Sequence, residues 1–83
     1  MIDARTAYDI MSDYISKNPD DYIINMAETS DDYVFGTKDH PSYGNMAVNK
    51  ETREPYIIHI VDYAKYVDAG DVREIDMRTF ERL

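Results

Sequence analysis

Histidine is the side chain best suited to moving protons near neutral pH, and this chain has two, His40 and His59. His59 falls in the apolar run Tyr56–Ile60, which reads as a strand, and a lone strand histidine is ordinarily surface-facing or hydrogen-bonded. His40 precedes Pro41 in a loop-like segment and reads as solvent-exposed. Serine becomes a nucleophile only beside a positioned base, and nothing in the pattern brings a serine to either histidine. Cysteine is absent, and two histidines without a His-x-x-x-His spacing fall short of a zinc set. Asp31-Asp32 lacks the alternating oxygen ligands of a calcium loop, and Gly36 is misplaced for its turn. The three glycines stand far apart, so no glycine-rich loop cradles a phosphate. Carboxylates are so abundant, seventeen in all, that no acid–base pair stands out. The residues therefore read as those of a protein without a catalytic site, a metal or a cofactor.

What remains is contact chemistry. Residues 1–39 hold nine acids and three bases, whereas residues 40–83 hold eight acids and six bases. Asp9, Asp13, Asp20, Asp21, Glu28, Asp31 and Asp32 crowd the first half. They read either as a solvated face or as a surface that meets a basic groove, where charge complementarity would speed association and select the partner. Eight tyrosines and no tryptophan are the second signal. Tyr8 and Tyr14 fit a helix stripe, and Tyr22, Tyr33 and Tyr56 fit strands that pair across a sheet. Tyr43, Tyr63 and Tyr66 are left over from the core pattern and become candidate contact residues. Tyrosine suits that role because it offers a large amphipathic surface with few rotors to freeze.

These residues must be positioned by a small number of elements. Ala4, Ala7, Tyr8, Met11, Tyr14 and Ile15 recur at spacings of three and four, one face of an amphipathic helix. Asp3 is its expected N-cap, and Asn18-Pro19 its expected end. Asp9 and Asp13 lie opposite the stripe, four residues apart, where like charges do nothing for the helix itself. Residues 22–27, 33–37, 46–49 and 56–60 read as strands, rich in β-branched and aromatic side chains and separated by polar turns. Ile60, Ala64 and Val67 fit a short second helix that stops at Gly70. Residues 73–77 alternate weakly, as a short fifth strand would. One stripe and one sheet face can be buried against each other, which gives an α+β class: the N-terminal helix packed on a four-stranded antiparallel sheet, five-stranded if residues 73–77 join it. The expected core is Ala7, Met11, Ile15, Ile24, Val34, Val48 and Ile58.

Eighty-three residues suit one domain, 1–83, with a thin core and, without cysteine, no disulfide support. That cysteine usage favours a reducing, cytoplasmic setting. The N-terminus does not read as a signal peptide, and no apolar run approaches a membrane span. A formal charge of −8 disfavours direct contact with nucleic acid or an anionic membrane and favours a basic partner.

The stretch Asn45 to Pro55, following Tyr33-Val34-Phe35, resembles the hairpin of small bacterial toxin-immunity proteins, in which a Val-Asp/Asn-Lys strand end is followed by a Thr-Gly-Glu turn. The likeness covers about residues 33–60 and departs at Arg53, where the pattern has glycine, leaving a turn without an easy positive φ. Size and charge are also similar to those of phage anti-CRISPR proteins. The hairpin likeness is a cue to the fold; the acidic first half, the excess tyrosine and the missing catalytic set point to a protein inhibitor that occludes the basic working surface of a bacterial nuclease or defence complex. The alternative is a structural or regulatory interaction module without inhibitory activity, with a homodimer among its forms.

Overall fold

The structure, a computed structural model, describes residues 1–39 and 46–83. In chain order the elements are α1 (Ala4–Ile15), β1 (Ile23–Glu28), β2 (Asp32–Thr37), β3 (Met46–Asn49), β4 (Pro55–Ile57), α2 (Ile60–Asp68) and β5 (Arg73–Glu74). The strands form one antiparallel sheet in the order β4-β3-β2-β1-β5. The α+β reading holds, and the fifth strand belongs to the sheet. The tail beyond it is anchored: Ile75 N–H donates to the Met26 carbonyl at 3.0 Å, Ile75 bridges to Arg82, and Phe80 packs edge-on against Tyr8.

Local chemistry sets the element ends. The Asp3 carboxylate accepts from the Thr6 N–H at 2.9 Å, satisfying one donor of the first turn of α1. α1 stops at Ile15, before Asn18-Pro19, where Ser16 turns its hydroxyl onto the Asp13 carbonyl. Between β3 and β4 the Asn49 side chain accepts from the N–H groups of Glu51 and Thr52, both at 2.9 Å. Arg53 then adopts a φ of 65°, so the turn keeps the left-handed conformation that glycine usually supplies. The expected strand 56–60 ends at Ile57. His59 is the N-cap of α2, its Nδ1 accepting from the Val61 N–H at 3.2 Å, rather than a strand residue.

Both faces of the sheet are covered. On one face the buried stripe Ala4, Ala7, Met11 and Ile15 of α1 packs on Met26, Tyr33, Phe35, Met46 and Val48. On the other, Ala27, Val34, Ala47 and Ile58 are buried beneath Tyr56, Tyr63, Tyr66 and Val72. The expected core was a single layer, yet Val34 and Ile58 belong to this second one. Ile24 is not core: a β-bulge between Ile23 and Asn25 inserts it as an extra residue and leaves it exposed. The bulge lays the Asn25 side chain over Gly36, where an added Cβ would come within 2.2 Å of the Asn25 amide oxygen.

Candidate partner-binding site

The register of β1 and β2 separates the two ends of the molecule. Ile23 pairs with Thr37 at one end and Glu28 with Tyr33 at the other. α1 starts near the second end, where the Ile2 N–H donates to the Lys50 carbonyl and the Lys50 N–H to Asp31. It finishes at the first end, where a polar lattice joins the α1–β1 connection to the segment after β2. Asn18 Nδ2 donates to Asp39 Oδ2 at 2.6 Å, and Asp21 Oδ1 accepts from the backbone N–H of Asp39 at 3.1 Å.

The seven acids of the first half do not form one surface. Asp9 and Asp13 are exposed on α1, with Asp20 exposed and Asp21 half-buried just beyond its C-terminus. Asp39, which sequence reasoning did not single out, joins this group through the hydrogen bonds just described. A groove of about 320 Å³ opens beside it, lined by Tyr8, Ser12, Ile15, Asn18, Asp21 and Tyr22 among others. Tyr22, expected to pair within the sheet, instead lies 59% exposed at this groove. Acidic groups flanking a groove of mixed polarity, lined by Tyr8, Ile15 and Tyr22 as well as Ser12 and Asn18, suit a lysine or arginine side chain, whose stem is apolar and whose head is cationic.

Glu28 and Asp32 must be withdrawn from the contact surface. Glu28 is buried on the α1 side, where its Oε2 takes the Lys50 ammonium at 2.9 Å and its Oε1 takes the Arg82 guanidinium. Lys50 also donates to the Thr29 carbonyl at 2.6 Å and sits 4.9 Å from the Tyr33 ring centroid. Burial pushes the Glu28 carboxyl up, but the bonds from Lys50 and Arg82 outweigh it and hold the group below its ordinary value. Asp32 is buried on the opposite face. Burial raises its pKa against the opposing effect of the Tyr56 hydroxyl bonded to it, and its Oδ1 has no hydrogen-bond partner among the described residues.

Asp31 lies at the far end from Asp20 and Asp21, exposed in the β1–β2 turn, and accepts the Tyr66 hydroxyl at 2.6 Å. That bond, with burial second, pushes the Tyr66 phenol up to about 12. Beside it the Asp71 carboxylate takes both the hydroxyl and the N–H of Ser30, which lowers its pKa. Tyr63 and Tyr66 therefore face inward, half-buried, and are structural supports for α2 more than free contact residues. A second groove, of about 570 Å³, lies between α2 and the sheet and is lined by Tyr56, Ile58, Tyr66 and Asp71 among others. Tyr43 and His40 lie outside the described residues.

The ion pairs show where charge is left uncompensated. Among the described residues the paired bases are Lys50, Lys65, Arg73, Arg78 and Arg82, and the paired acids are Glu28, Asp62, Asp71 and Asp76. Glu28 alone of these acids comes from residues 1–39. Arg5 and Lys17, the bases nearest in sequence to Asp9 and Asp13, lie over the rings of Phe80 and Tyr14 instead. Among the described residues no group of three His, Asp or Glu side chains is placed to hold a metal ion, and no helix is long and apolar enough to cross a membrane. No family model, curated protein or solved structure matches this chain.

Proposed function

We propose that this protein is a non-enzymatic acidic inhibitor that works in the cytoplasm. It occludes the basic, nucleic-acid-binding surface of a bacterial nuclease or defence complex, in the manner of toxin-immunity or anti-CRISPR proteins. The observation that carries this reading is the unpaired acidic surface of α1 and its C-terminal end: Asp9, Asp13, Asp20, Asp21 and Asp39 make no ion pair among the described residues. Lys50, Lys65, Arg73, Arg78 and Arg82 pair with acids outside this surface. Lys17, and Lys38 with its Nζ 3.3 Å from the Asp20 carbonyl, offset the charge of this surface only in part, so a net negative charge remains where a cationic partner would meet it. Exposed charge of this kind steers encounter and chooses the partner. The adjoining groove at Tyr8 and Tyr22 adds apolar contact for the stem of a basic side chain.

Charge reversal tests this. The tagged wild-type chain is used to capture proteins from a bacterial lysate, and duplex DNA is then added as competitor. A recovered nucleic-acid-binding protein that DNA displaces is the expected result. Asp9→Lys with Asp13→Lys abolishes the capture. Glu51→Lys with Glu54→Lys, in the exposed β3–β4 turn, leaves it intact, since surface changes shift stability by only about 0.5 kcal/mol. Equal capture by both double variants, or capture indifferent to DNA and to salt, overturns the proposal.

A further inference from the structure

The segment after β5 holds an aromatic ring against α1 through a backbone conformation that an aromatic residue rarely adopts. Phe80 has a φ of 59°, in the left-handed region, where a Cβ crowds the following carbonyl. Such a conformation persists only where its surroundings fix it. Here the Phe80 N–H donates to the Asp76 carbonyl at 2.6 Å and the Asp76 N–H to the Glu81 carbonyl at 2.8 Å. Arg82 fastens the segment to the sheet through the buried Glu28 carboxylate and its bridge to Ile75. The ring so placed lies edge-on to Tyr8, 5.4 Å between centroids, with the Arg5 guanidinium 5.5 Å from its centre.

Arg5 has a choice of partners. Tyr8 follows it by three residues and Asp9 by four, so Arg5 stands between them on the surface of α1. Opposite charges at a spacing of four attract. Arg5 is nevertheless not paired with Asp9; it leans to the Tyr8 side, over Phe80. We propose that Phe80 is a positioning residue for the acidic surface: its ring holds Arg5 off Asp9 and so keeps that carboxylate free for a cationic partner. The inference rests on the reading of Asp9 and Asp13 as contact residues. Packing alone does not account for the ring, because an aliphatic side chain also fills space against Tyr8 but offers no face to a guanidinium.

Nuclear magnetic resonance on the full chain tests this, first through the Arg5 Nε–H resonance. In the wild-type chain Asp9→Asn leaves it unmoved, because Arg5 lies on the ring. In Phe80→Leu, which keeps apolar bulk without a ring, Asp9→Asn shifts it, because Arg5 has turned to Asp9. Phe80→Tyr, which keeps the ring, behaves as wild type. Equal sensitivity to Asp9→Asn in the wild-type and Phe80→Leu backgrounds overturns the proposal. Titration with tetralysine then reads the effect at the surface. It shifts the Asp9 and Asp13 amides of the wild-type chain and binds Phe80→Leu about twofold more weakly, the strength of an exposed pair at this spacing. Adding Arg5→Gln to Phe80→Leu restores the affinity, which damage to the fold would not allow. Unchanged binding by Phe80→Leu, or a loss that Arg5→Gln does not restore, overturns the proposal. If tetralysine leaves the wild-type Asp9 and Asp13 amides unmoved, the contact reading fails, and the Arg5 resonance, which needs no ligand, still decides whether Phe80 holds Arg5.

Discussion

The two faces of the sheet are covered by helices that hold on by different means. α1 buries four aliphatic side chains and shows its charged side to water. α2 buries none fully, grips through Tyr63 and Tyr66, and shows its aliphatic side to water. The buried polar groups follow the same division. On the α1 face Glu28 is paired with Lys50 and Arg82, whereas on the α2 face Asp32 keeps an oxygen without a partner among the described residues. The α1 face is thus built for stability, and the α2 face gives up packing to keep an apolar surface outside. A helix fixed by the Tyr66–Asp31 bond and by the packing of Tyr63 and Tyr66 on the sheet can present aliphatic residues that a conventional core would have consumed.

Substitutions on the two faces sharpen that contrast. The largest expected effect is that of Glu28→Ala, which leaves Lys50 buried without its partner and costs about 4 kcal/mol, measured by urea unfolding. The folded-state pKa of Glu28 is depressed, so its contribution is present at neutral pH and is lost as pH falls through that depressed value. The wild-type chain should therefore lose stability on acidification, and Glu28→Ala should flatten that part of the curve. Next, Met11→Ala opens a cavity under α1 and costs about 3 kcal/mol, while Val67→Ala on α2 changes monomer stability by no more than about 0.5 kcal/mol. Equal losses would mean that the α2 stripe is packed after all. A last effect runs the other way. Burial raises the Asp32 pKa, so the charged form opposes folding above the usual carboxylate range. Asp32→Asn should add about 1 kcal/mol near neutral pH. The gain should vanish below the ordinary aspartate pKa, where the wild-type side chain is itself neutral.

Much of the fold was legible because it rests on local chemistry. The spacing of Ala7, Met11 and Ile15, the Asp3 cap, the turn residues at 29–32 and 49–53, and the stop at Gly70 each act within a few residues of chain. Ile24 was misread because the bulge that ejects it depends on Asn25 lying over Gly36, a cross-strand contact that no local pattern announces. His59 was assigned to a strand because an apolar run of that length suits either a strand or the start of a helix. The candidate site was legible only in part. Asp9, Asp13, Asp20 and Asp21 are where the charge count placed them, while Asp39 and Tyr22 join them through tertiary hydrogen bonds and the groove.

By itself the sequence determined the α+β class, the amphipathic first helix, the acidic first half and the excess of tyrosine. These follow from periodicity and composition, which survive any arrangement of the elements. Only the tertiary structure decided which acids are surface and which are core. Glu28 and Asp32 stand four residues apart in one acidic run, yet strand pairing sends their side chains to opposite faces of the sheet and buries both. It also decided that the apolar residues of α2 look outward. A helix can bury either side, and the choice here was made by Tyr63, which packs against the Ala27, Val34, Ala47 and Ile58 cluster, and by Tyr66, whose hydroxyl donates to Asp31.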